Sequence, residues 1–599
     1  MATFDSIMTR RAPGADPTLG YRRLAMLDQR LRRRGVLGGA LGLAGLAAFG
    51  AGNLAAARQE AATPMMGDDA APPDQQIFVV SGNPTLDLTP DFYEAVYQRP
   101  GGSQDIFSDP LVRMNRDLQI IPGAALSWES NPEGTVWTFQ IDPDLMWNDG
   151  TPVTANDWVA TFQYGADPEH AWDFAWFFQD IIVNWNEALA GDVPPAELGV
   201  AVGANDRELV VETFNAAPYL PAMMLYSNPL SAKALAESGP LYNSNPATSV
   251  SSGPMMLDEW TLDQRIVYVK NPDYQGTLLM PVEKIVIKLA DPSTWFTMYQ
   301  NDEIDFMEGP APAELQIAEA EFPDQVYSGV GDFKTYYLFF DVTQAPFDNH
   351  QVRQAFSHVV DRDAIQQAIL GPSGFPAVSY LMPGFPGANA DELAGIQNFD
   401  PELGRQLLAE AGFPDGAGFP PQTMWLRNEN PLNQTVANAI AAGITQHLGI
   451  PVEVQNQDSA TFMDALTAKP TEILFGYVSY GMDFFDPFNM LSVWLGGGRH
   501  SWANDDFDSQ VREAAAFTGD PDERIALFHA AEQLLVEEVP AVWVYHVTPV
   551  QLIKPWVKGD FIAPDGNGIT ALHWLGYTGM STVPAELYIA ADAPVGREN

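Results

Sequence analysis

Residues 424–454 of the chain, MWLRNENPLNQTVANAIAAGITQHLGIPVEV, decide its fold class. A strand is predicted near Met424 and another at residues 452–454. Between them Val436, Ile440 and Ile444 recur at a spacing of four, which places them on one face of a helix. A strand, a helix and a strand in this order form a βαβ unit, so part of the sheet is predicted to be parallel.

The segments before this unit alternate between the same two kinds of element, which indicates an α/β chain. Asp400 is placed to cap a helix that has Pro401 at its first position and ends at Gly412. Asp348 or Asn349 is placed to cap an earlier helix. The predicted buried face of that helix holds Val352, Ala355, Phe356 and Val359, and apolar runs at residues 136–141, 266–269, 285–287 and 472–478 are predicted strands.

The length of the chain requires more than one domain. Single hydrophobic cores stop growing at roughly 250–300 residues, and this chain has 599. Its composition is 46% hydrophobic and 11% aromatic, which excludes a chain that is disordered throughout.

The chain is strongly acidic, with 30 basic and 77 acidic residues and a net charge of −47. Without its first 57 residues it would hold 22 basic and 74 acidic residues, a net charge of −52. A field of this sign repels nucleic acid and anionic lipid, so neither is an expected partner. A solvated acidic surface explains the charge, and adaptation to high salt or to low external pH is the alternative.

Catalytic and metal-binding motifs are not found in the sequence. The chain contains no Cys, which excludes a disulfide, a thiolate nucleophile, an iron–sulfur cluster and a lipid-modified N-terminal Cys. Its eight His are scattered and do not form a His-Glu-x-x-His pattern, and no P-loop or Gly-x-Ser-x-Gly elbow occurs. We therefore expect no catalytic residue, no metal site and no cofactor, and a protein that is not an enzyme.

The first 57 residues are predicted to be an export signal of the twin-arginine type. Eight Arg end in Arg33 and Arg34, an uncharged run rich in Gly and Ala follows from Gly35, and residues 55–57 offer a cleavage site. An uncleaved membrane anchor is the alternative. Residues 58–76 are predicted to be a flexible tether, and no later segment is apolar enough to span a membrane. The body is therefore expected to be soluble and exported, either periplasmic or at the cell surface.

Six motifs resemble those of one known family, the extracellular solute-binding proteins, family 5, of ABC importers, which includes dipeptide-, oligopeptide- and nickel-binding proteins. The resemblance extends from about residue 77 to residue 559 and depends on the order of the motifs. They are PGAALSWE at 122–129, WNDGTPVTAND at 147–157, SGP at 252–254 with Trp260 and NPDY at 271–274, PFDNHQVRQA at 346–355 with Asp361 and Arg362, DPELGRQLLAEAG at 400–412, and DFFDP at 483–487.

The resemblance implies a bilobed periplasmic-binding-protein-like fold with an extra N-terminal subdomain, the class II or cluster C type. Lobe 1 would comprise residues 77–331 and 546–599, with the extra subdomain at about 114–217, and lobe 2 residues 332–545. The chain would cross between the lobes twice, and the ligand would lie in the cleft between them. The implied partners are a small-molecule ligand, for which a short peptide is the first choice, and the membrane permease of an ABC importer. The protein itself is expected to be a monomer.

Two charged residues are predicted to contact the ligand. Asp483 corresponds to the family position whose carboxylate takes the α-ammonium of a peptide, and shaping of the turn 483–487 is its alternative role. Arg427 follows a strand end, where dipeptide-binding relatives place an Arg for the ligand carboxylate, and a surface Arg is the alternative. Tyr480, three residues before Asp483, is also predicted to contact the ligand.

Uncharged groups complete the predicted site. Trp176, in an aromatic stretch with Phe177 and Phe178, is predicted to face the cleft, with core packing as the alternative. Ser252 and Gly253 are predicted to offer backbone groups, and a turn role is equally compatible with their sequence. Residues 87–90 are a further candidate edge of the cleft.

Three classes of function remain open at this point. The first is capture of a peptide and its delivery to an importer, with an oligosaccharide, a metal chelate or an opine as alternative ligands. The second is a secreted hydrolase, which would require a catalytic constellation. The third is a receptor that presents its ligand to a chemosensor through the same cleft.

Overall fold

The computed structural model describes residues 66–85, 89–96, 103–115, 118–330, 333–427, 431–559, 570–571 and 583–598. The predicted export signal, the first part of the tether, residues 86–88 and residues 428–430 lie outside these ranges. Within them, no helix is both long enough and apolar enough to cross a membrane.

The described residues form short strands that are spread along the whole body. In chain order they are β1 (Ile77–Gly82), β2 (Val112–Met114), β3 (Ile120–Pro122), β4 (Ala125–Ser130), β5 (Val136–Ile141), β6 (Val200–Val202), β7 (Glu208–Glu212), β8 (Met255–Thr261), β9 (Arg265–Lys270), β10 (Lys284–Leu289), β11 (Phe306–Glu308), β12 (Val326–Val330), β13 (Thr335–Phe340), β14 (Gly374–Pro376), β15 (Gln422–Arg427), β16 (Val452–Gln457), β17 (Phe475–Tyr480), β18 (Ala541–Val547), β19 (Val550–Ile553), β20 (Val557–Lys558), β21 (Thr570–Ala571) and β22 (Tyr588–Ile589).

Three larger sheets organise these strands. An eight-stranded sheet has the order β21-β12-β19-β11-β1-β10-β9-β8, and a six-stranded sheet has the order β14-β18-β13-β17-β15-β16. A four-stranded sheet, β4-β5-β7-β6, is antiparallel throughout. The strands of the eight-stranded sheet precede and follow those of the six-stranded sheet in sequence, so the chain passes from one sheet to the other and returns.

Helices of eight residues or more pack beside the sheets. They are α1 (Ala155–Gly165), α2 (Pro312–Glu321), α3 (His350–Ser357), α4 (Pro401–Glu410), α5 (Pro431–Leu448), α6 (Ser459–Thr467), α7 (Asp505–Ala516) and α8 (Pro521–Glu538). Shorter helices are Ser103–Phe107, Trp185–Leu189, Leu220–Met223, Ala232–Ser238, Trp295–Gln300, Arg362–Ile365, Ala390–Leu393, Pro487–Ser492 and Val583–Glu586.

The predicted βαβ unit is confirmed. Strands β15 and β16 are parallel from the pair Gln422 and Val452 to the pair Arg427 and Gln457, and α5 connects them. Val436, Ile440 and Ile444 are buried, as the four-residue spacing predicts. Removal of this apolar face from water is what holds α5 against the sheet.

The helix caps also follow the sequence prediction. The Asp400 side chain accepts a hydrogen bond from the Leu403 amide at 3.0 Å, and Gly412 adopts a φ of +101° just beyond the end of α4. Of the two candidate caps for α3 it is Asn349 that accepts from the Gln351 amide, at 2.9 Å. One predicted strand differs in its start, because β17 begins at Phe475 instead of residue 472.

Candidate ligand-binding cavity

A cavity of about 1060 Å³ lies between two parts of the chain that are distant in sequence. One wall comes from residues 176–219, around the four-stranded sheet, and the other from residues 463–516, which include strand β17 of the six-stranded sheet. The cavity therefore lies where elements associated with different sheets face each other, a common position for a ligand site.

Aromatic rings form part of the cavity wall. Phe177 packs edge-on against Phe484 at 5.9 Å, and Tyr219 packs against Phe484 at 5.7 Å and Phe488 at 4.7 Å. Trp176 lies on the cavity wall with 43% of its surface exposed. Apolar ligand groups bind well to such ring faces, because contact removes both surfaces from water.

A hydrogen-bonded group of three side chains lies beside these rings. The Tyr480 hydroxyl donates to Asp483 Oδ2 at 2.6 Å, and the Asn489 amide nitrogen approaches the same oxygen at 3.3 Å. Asn489 Oδ1 accepts from the Asp483 amide at 2.8 Å. Tyr480 and Asn489 line the cavity, whereas Asp483 is 5% exposed and is not among the wall residues. The carboxylate thus lies one layer behind the wall.

This arrangement gives the cavity an electron-rich acceptor. Burial raises the pKa of Tyr480 well above its usual value, and the charge of Asp483 adds to this effect. The hydroxyl therefore keeps its proton. That proton is directed at Asp483, and the hydroxyl oxygen accepts from the Asn489 side-chain nitrogen at 3.3 Å, which leaves one lone pair for a donor in the cavity. The nearby negative charge favours a donor that is itself a cation.

The turn that carries Asp483 is held at its far end by an ion pair. Asp486 accepts from the Phe488 amide at 3.0 Å and so caps the helix Pro487–Ser492. Arg524 binds both oxygens of Asp486, at 2.7 and 2.9 Å. A bidentate pair of this kind fixes a turn more firmly than a single hydrogen bond does.

Positive charge lies on the same wall as the Tyr480 group. The guanidinium of Arg499 is 4.7 Å from the centre of the Tyr480 ring, a cation–π contact. Lys469 and Arg512 also line the cavity, and Asp180 is the acidic residue among the wall residues. Within an acidic chain this wall is therefore basic.

Arg427 does not line the cavity. Arg427 is the last residue of β15 and is half-buried. Its positive charge acts on Tyr337, which also lies close to Arg499. Burial raises the pKa of Tyr337, whereas Arg499 and then Arg427 act in the lowering direction. The prediction that Arg427 contacts the ligand thus stays a prediction.

Ser252 and Gly253 lie apart from this cavity. The Gly253 amide donates to the Phe107 carbonyl at 2.9 Å, and the Gly253 carbonyl accepts from the Asn271 side chain at 3.0 Å. A Cβ on Gly253 would lie 2.5 Å from the Ile106 carbonyl oxygen, so only Gly fits this close approach. These contacts give Gly253 a turn role, with both of its backbone groups used inside the protein.

The structure brings together some of the predicted residues and adds others. Trp176 and Tyr480 lie on the wall, and Asp483 lies directly behind Tyr480. The cations Lys469, Arg499 and Arg512 are not among the predicted contacts. The run Gly496-Gly497-Gly498 before Arg499 was a usable indication, since glycine runs mark loops that can approach a ligand closely. Across the ranges that the structure covers, no three His, Asp or Glu side chains are grouped to hold a metal ion.

The two large sheets, the double passage of the chain and the cavity between distant segments define a bilobed binding protein. The profile of the bacterial extracellular solute-binding proteins, family 5 Middle, matches residues 119–502. The chain belongs to this family.

Known relatives agree with this assignment over most of the chain. The periplasmic oligopeptide-binding protein OppA of Escherichia coli is 30% identical over 526 residues, which cover 86% of this chain and 94% of OppA. A probable deoxycholate-binding periplasmic protein, YgiS of Escherichia coli, is 28% identical over 76% of this chain and 85% of its own. The structure of the Escherichia coli murein tripeptide binding protein MppA matches with a TM-score of 0.67 and 24% identity, over 87% of this chain and 99% of MppA.

Proposed function

We propose that this chain is the extracytoplasmic solute-binding component of an ABC importer, and that it captures a short peptide in the cavity and passes it to the permease. The observation that carries the proposal is the Asp483–Tyr480–Asn489 group at the cavity wall, which also holds aromatic rings and cations. The names of relatives such as OppA and MppA support the choice of a peptide.

Each chemical part of a peptide finds a complementary surface in this cavity. The α-ammonium donates to the Tyr480 oxygen, which has the Asp483 charge behind it. A carboxylate pairs with Arg499. Apolar side chains are met by Trp176 and the rings of Phe484 and Phe488. The volume of about 1060 Å³ is slightly above the roughly 300–1,000 Å³ typical of small-molecule sites, which suits a short peptide.

The role of the protein in this proposal is binding without turnover. It acts outside the cytoplasm as a monomer, with the permease as its macromolecular partner. The test is native mass spectrometry of freshly purified protein, followed by calorimetric titration with the molecule that co-purifies. A bound peptide is the expected result. A neutral sugar or a steroid in its place, or hydrolysis of peptides by the pure protein that is lost on substitution in the cavity, would overturn the proposal.

We infer that residues 77–331 and 546–599 form one lobe, with a subdomain at about 114–217, and that residues 332–545 form the other. The membership of the sheets supports this division, because β13 to β18 build the six-stranded sheet, whereas β1, β8 to β12, β19 and β21 build the eight-stranded one. The two chain segments that cross between the lobes act as a hinge, which closes when a few backbone dihedral angles change.

Ligand binding is expected to close this hinge and to reduce the radius of gyration in X-ray scattering. Only the closed state lets both walls touch the ligand, so the ligand binds that state more tightly. A shift from 1:99 to 99:1 requires a difference of about 5.5 kcal/mol between the two binding free energies. A radius that is the same with and without saturating ligand would contradict the hinge.

Export by the twin-arginine pathway is a further part of the proposal. It is supported by Arg33 and Arg34 before the uncharged run that begins at Gly35. Changing both Arg33 and Arg34 to Lys is expected to leave the precursor inside the cell, because the pathway recognises the arginine pair and not the charge alone. Cell fractionation and immunoblotting measure this, and normal export of the double variant would refute the pathway.

A further inference from the structure

The basic wall of the cavity contrasts with the rest of the molecule. The chain holds 77 acidic and 30 basic residues, whereas the cavity wall holds Lys469, Arg499 and Arg512 against Asp180. The reversal of sign at this wall concentrates positive potential in the cavity.

Arg499 is distinguished from the other buried arginines by its surroundings. Arg113, Arg524 and Arg597 each pair with an Asp side chain. Arg353 and Arg362 use their guanidinium groups on backbone carbonyls. In the described part of the chain, Arg499 forms no ion pair, and its neighbours are the Tyr480 ring, the Ser479 carbonyl at 3.5 Å and the Tyr337 hydroxyl, all of them uncharged groups. The positive charge of its guanidinium is thus not neutralised by a carboxylate of the protein, and an anion can supply that partner.

The loop that carries Arg499 is fixed on both sides. The Lys469 ammonium donates to the carbonyls of Gly498 and His500. The His500 ring stacks on Trp494 at 4.0 Å, and its Nε2 contacts the Tyr337 hydroxyl at 3.0 Å. Burial, then Arg499 and then Lys469 lower the pKa of His500 well below its usual value, so this ring is neutral. Arg499 is therefore presented in a preset position, which reduces the entropy cost of binding an anion.

Tyr480 links this cation to Asp483. Its hydroxyl binds the Asp483 carboxylate, and the face of its ring lies beside the Arg499 guanidinium. An ammonium acceptor and a carboxylate donor are therefore separated by a single tyrosine side chain. That separation suits an α-ammonium and an acidic side chain in the first two residues of a peptide, and is too short for the two ends of a longer one.

We infer that Arg499, with Lys469 and Arg512 adding to the positive field, binds a ligand carboxylate near the amino terminus, so that the site prefers peptides with Asp or Glu in the first two positions. This inference rests on the proposed function and specifies its substrate class. A carboxylate can come from an acidic side chain or from the end of a very short peptide, and the test separates these two sources.

The test compares Glu-Ala-Ala with Gln-Ala-Ala, each with a free and with an amidated carboxyl end, by calorimetry at low salt. Wild type is expected to bind the Glu peptide at least tenfold more tightly than the Gln peptide, with amidation having the smaller effect. Arg499→Gln is expected to lose this preference. Arg405→Gln, which removes the same charge from the exposed side of α4, is expected to retain it.

Two further measurements keep the test independent of the folding of Arg499→Gln. Arg499→Lys retains the charge without the planar fork and is expected to keep part of the preference. In wild type the preference is expected to shrink as salt is raised, because it is electrostatic.

The failures can be told apart. Equal binding of the Glu and Gln peptides by wild type, or a preference that persists in Arg499→Gln, overturns this inference and leaves peptide binding intact. A loss of binding on amidation without a Glu preference assigns the carboxylate to the peptide end and also overturns it. If none of the four peptides binds to wild type, the proposed function fails together with the inference.

Discussion

Asp483→Asn is expected to weaken the binding of a peptide with a free amino terminus by at least about a hundredfold. Asn retains the shape of Asp and still accepts the Tyr480 hydroxyl, which now donates to Asp483 Oδ2 at 2.6 Å. It removes only the negative charge behind the Tyr480 oxygen, so an ammonium bound at that oxygen loses the buried charge that attracts it. Removing one member of a buried charged pair costs about 3–5 kcal/mol, which is where the hundredfold figure originates.

The measurement is calorimetric titration of both proteins with Ala-Ala-Ala and with its N-acetylated form. Acetylation of the peptide is expected to weaken binding to wild type for the same reason, and the two losses should not add, because both delete one interaction. Asp180→Asn is the matched control, since Asp180 is also on the cavity wall and binds the Asn186 side chain at 2.7 Å. Equal affinity of Asp483→Asn and wild type, or no effect of acetylation, would contradict an ammonium at this position.

The fold was largely predictable because its determinants are local. The four-residue spacing of Val436, Ile440 and Ile444 identifies a buried helix face, and Asp400 and Gly412 identify the ends of α4. Caps and periodicity act within a few residues, so they can be detected in a single sequence. The choice between Asp348 and Asn349 could not be made, since both side chains can cap a helix and only the backbone path selects one.

The site was less predictable, because it is made by residues that the fold brings together from a distance. Trp176 lies more than 300 residues before Arg499, yet both line the same cavity. No local sequence pattern indicates that these two residues share a cavity. For Ser252 and Gly253 the sequence left a ligand contact and a turn role open, and the contacts of Gly253 with Phe107 and Asn271 describe a tight turn.

A buried acid on α8 connects the core to the turn that carries Asp483. Glu532 is fully buried, and its Oε1 accepts from the Leu381 amide at 2.7 Å. The loop that follows carries Phe385, which packs against Phe485 at 5.3 Å, two residues beyond Asp483. A change in the charge of Glu532 therefore bears on the stability of the lobe that holds one wall of the cavity.

Glu532→Gln is expected to stabilise the protein at neutral pH and not at acid pH. Burial raises the pKa of Glu532 from 4.5 to about 8, so the folded chain holds the proton more tightly than the unfolded chain does. Its contribution to stability is fully present below pH 4.5 and is lost as the pH rises through about 8, a loss of about 3 kcal/mol by pH 7. Gln is always neutral and still accepts the Leu381 amide. The difference in free energy of unfolding between the variant and wild type, measured by urea denaturation, should therefore rise by about 3 kcal/mol from pH 4 to pH 7. Glu537→Gln, on the exposed side of the same helix, should show a small difference that does not change with pH. A difference for Glu532→Gln that is the same at both pH values would mean that Glu532 is ionised in the folded protein, with a cation or water stabilising it.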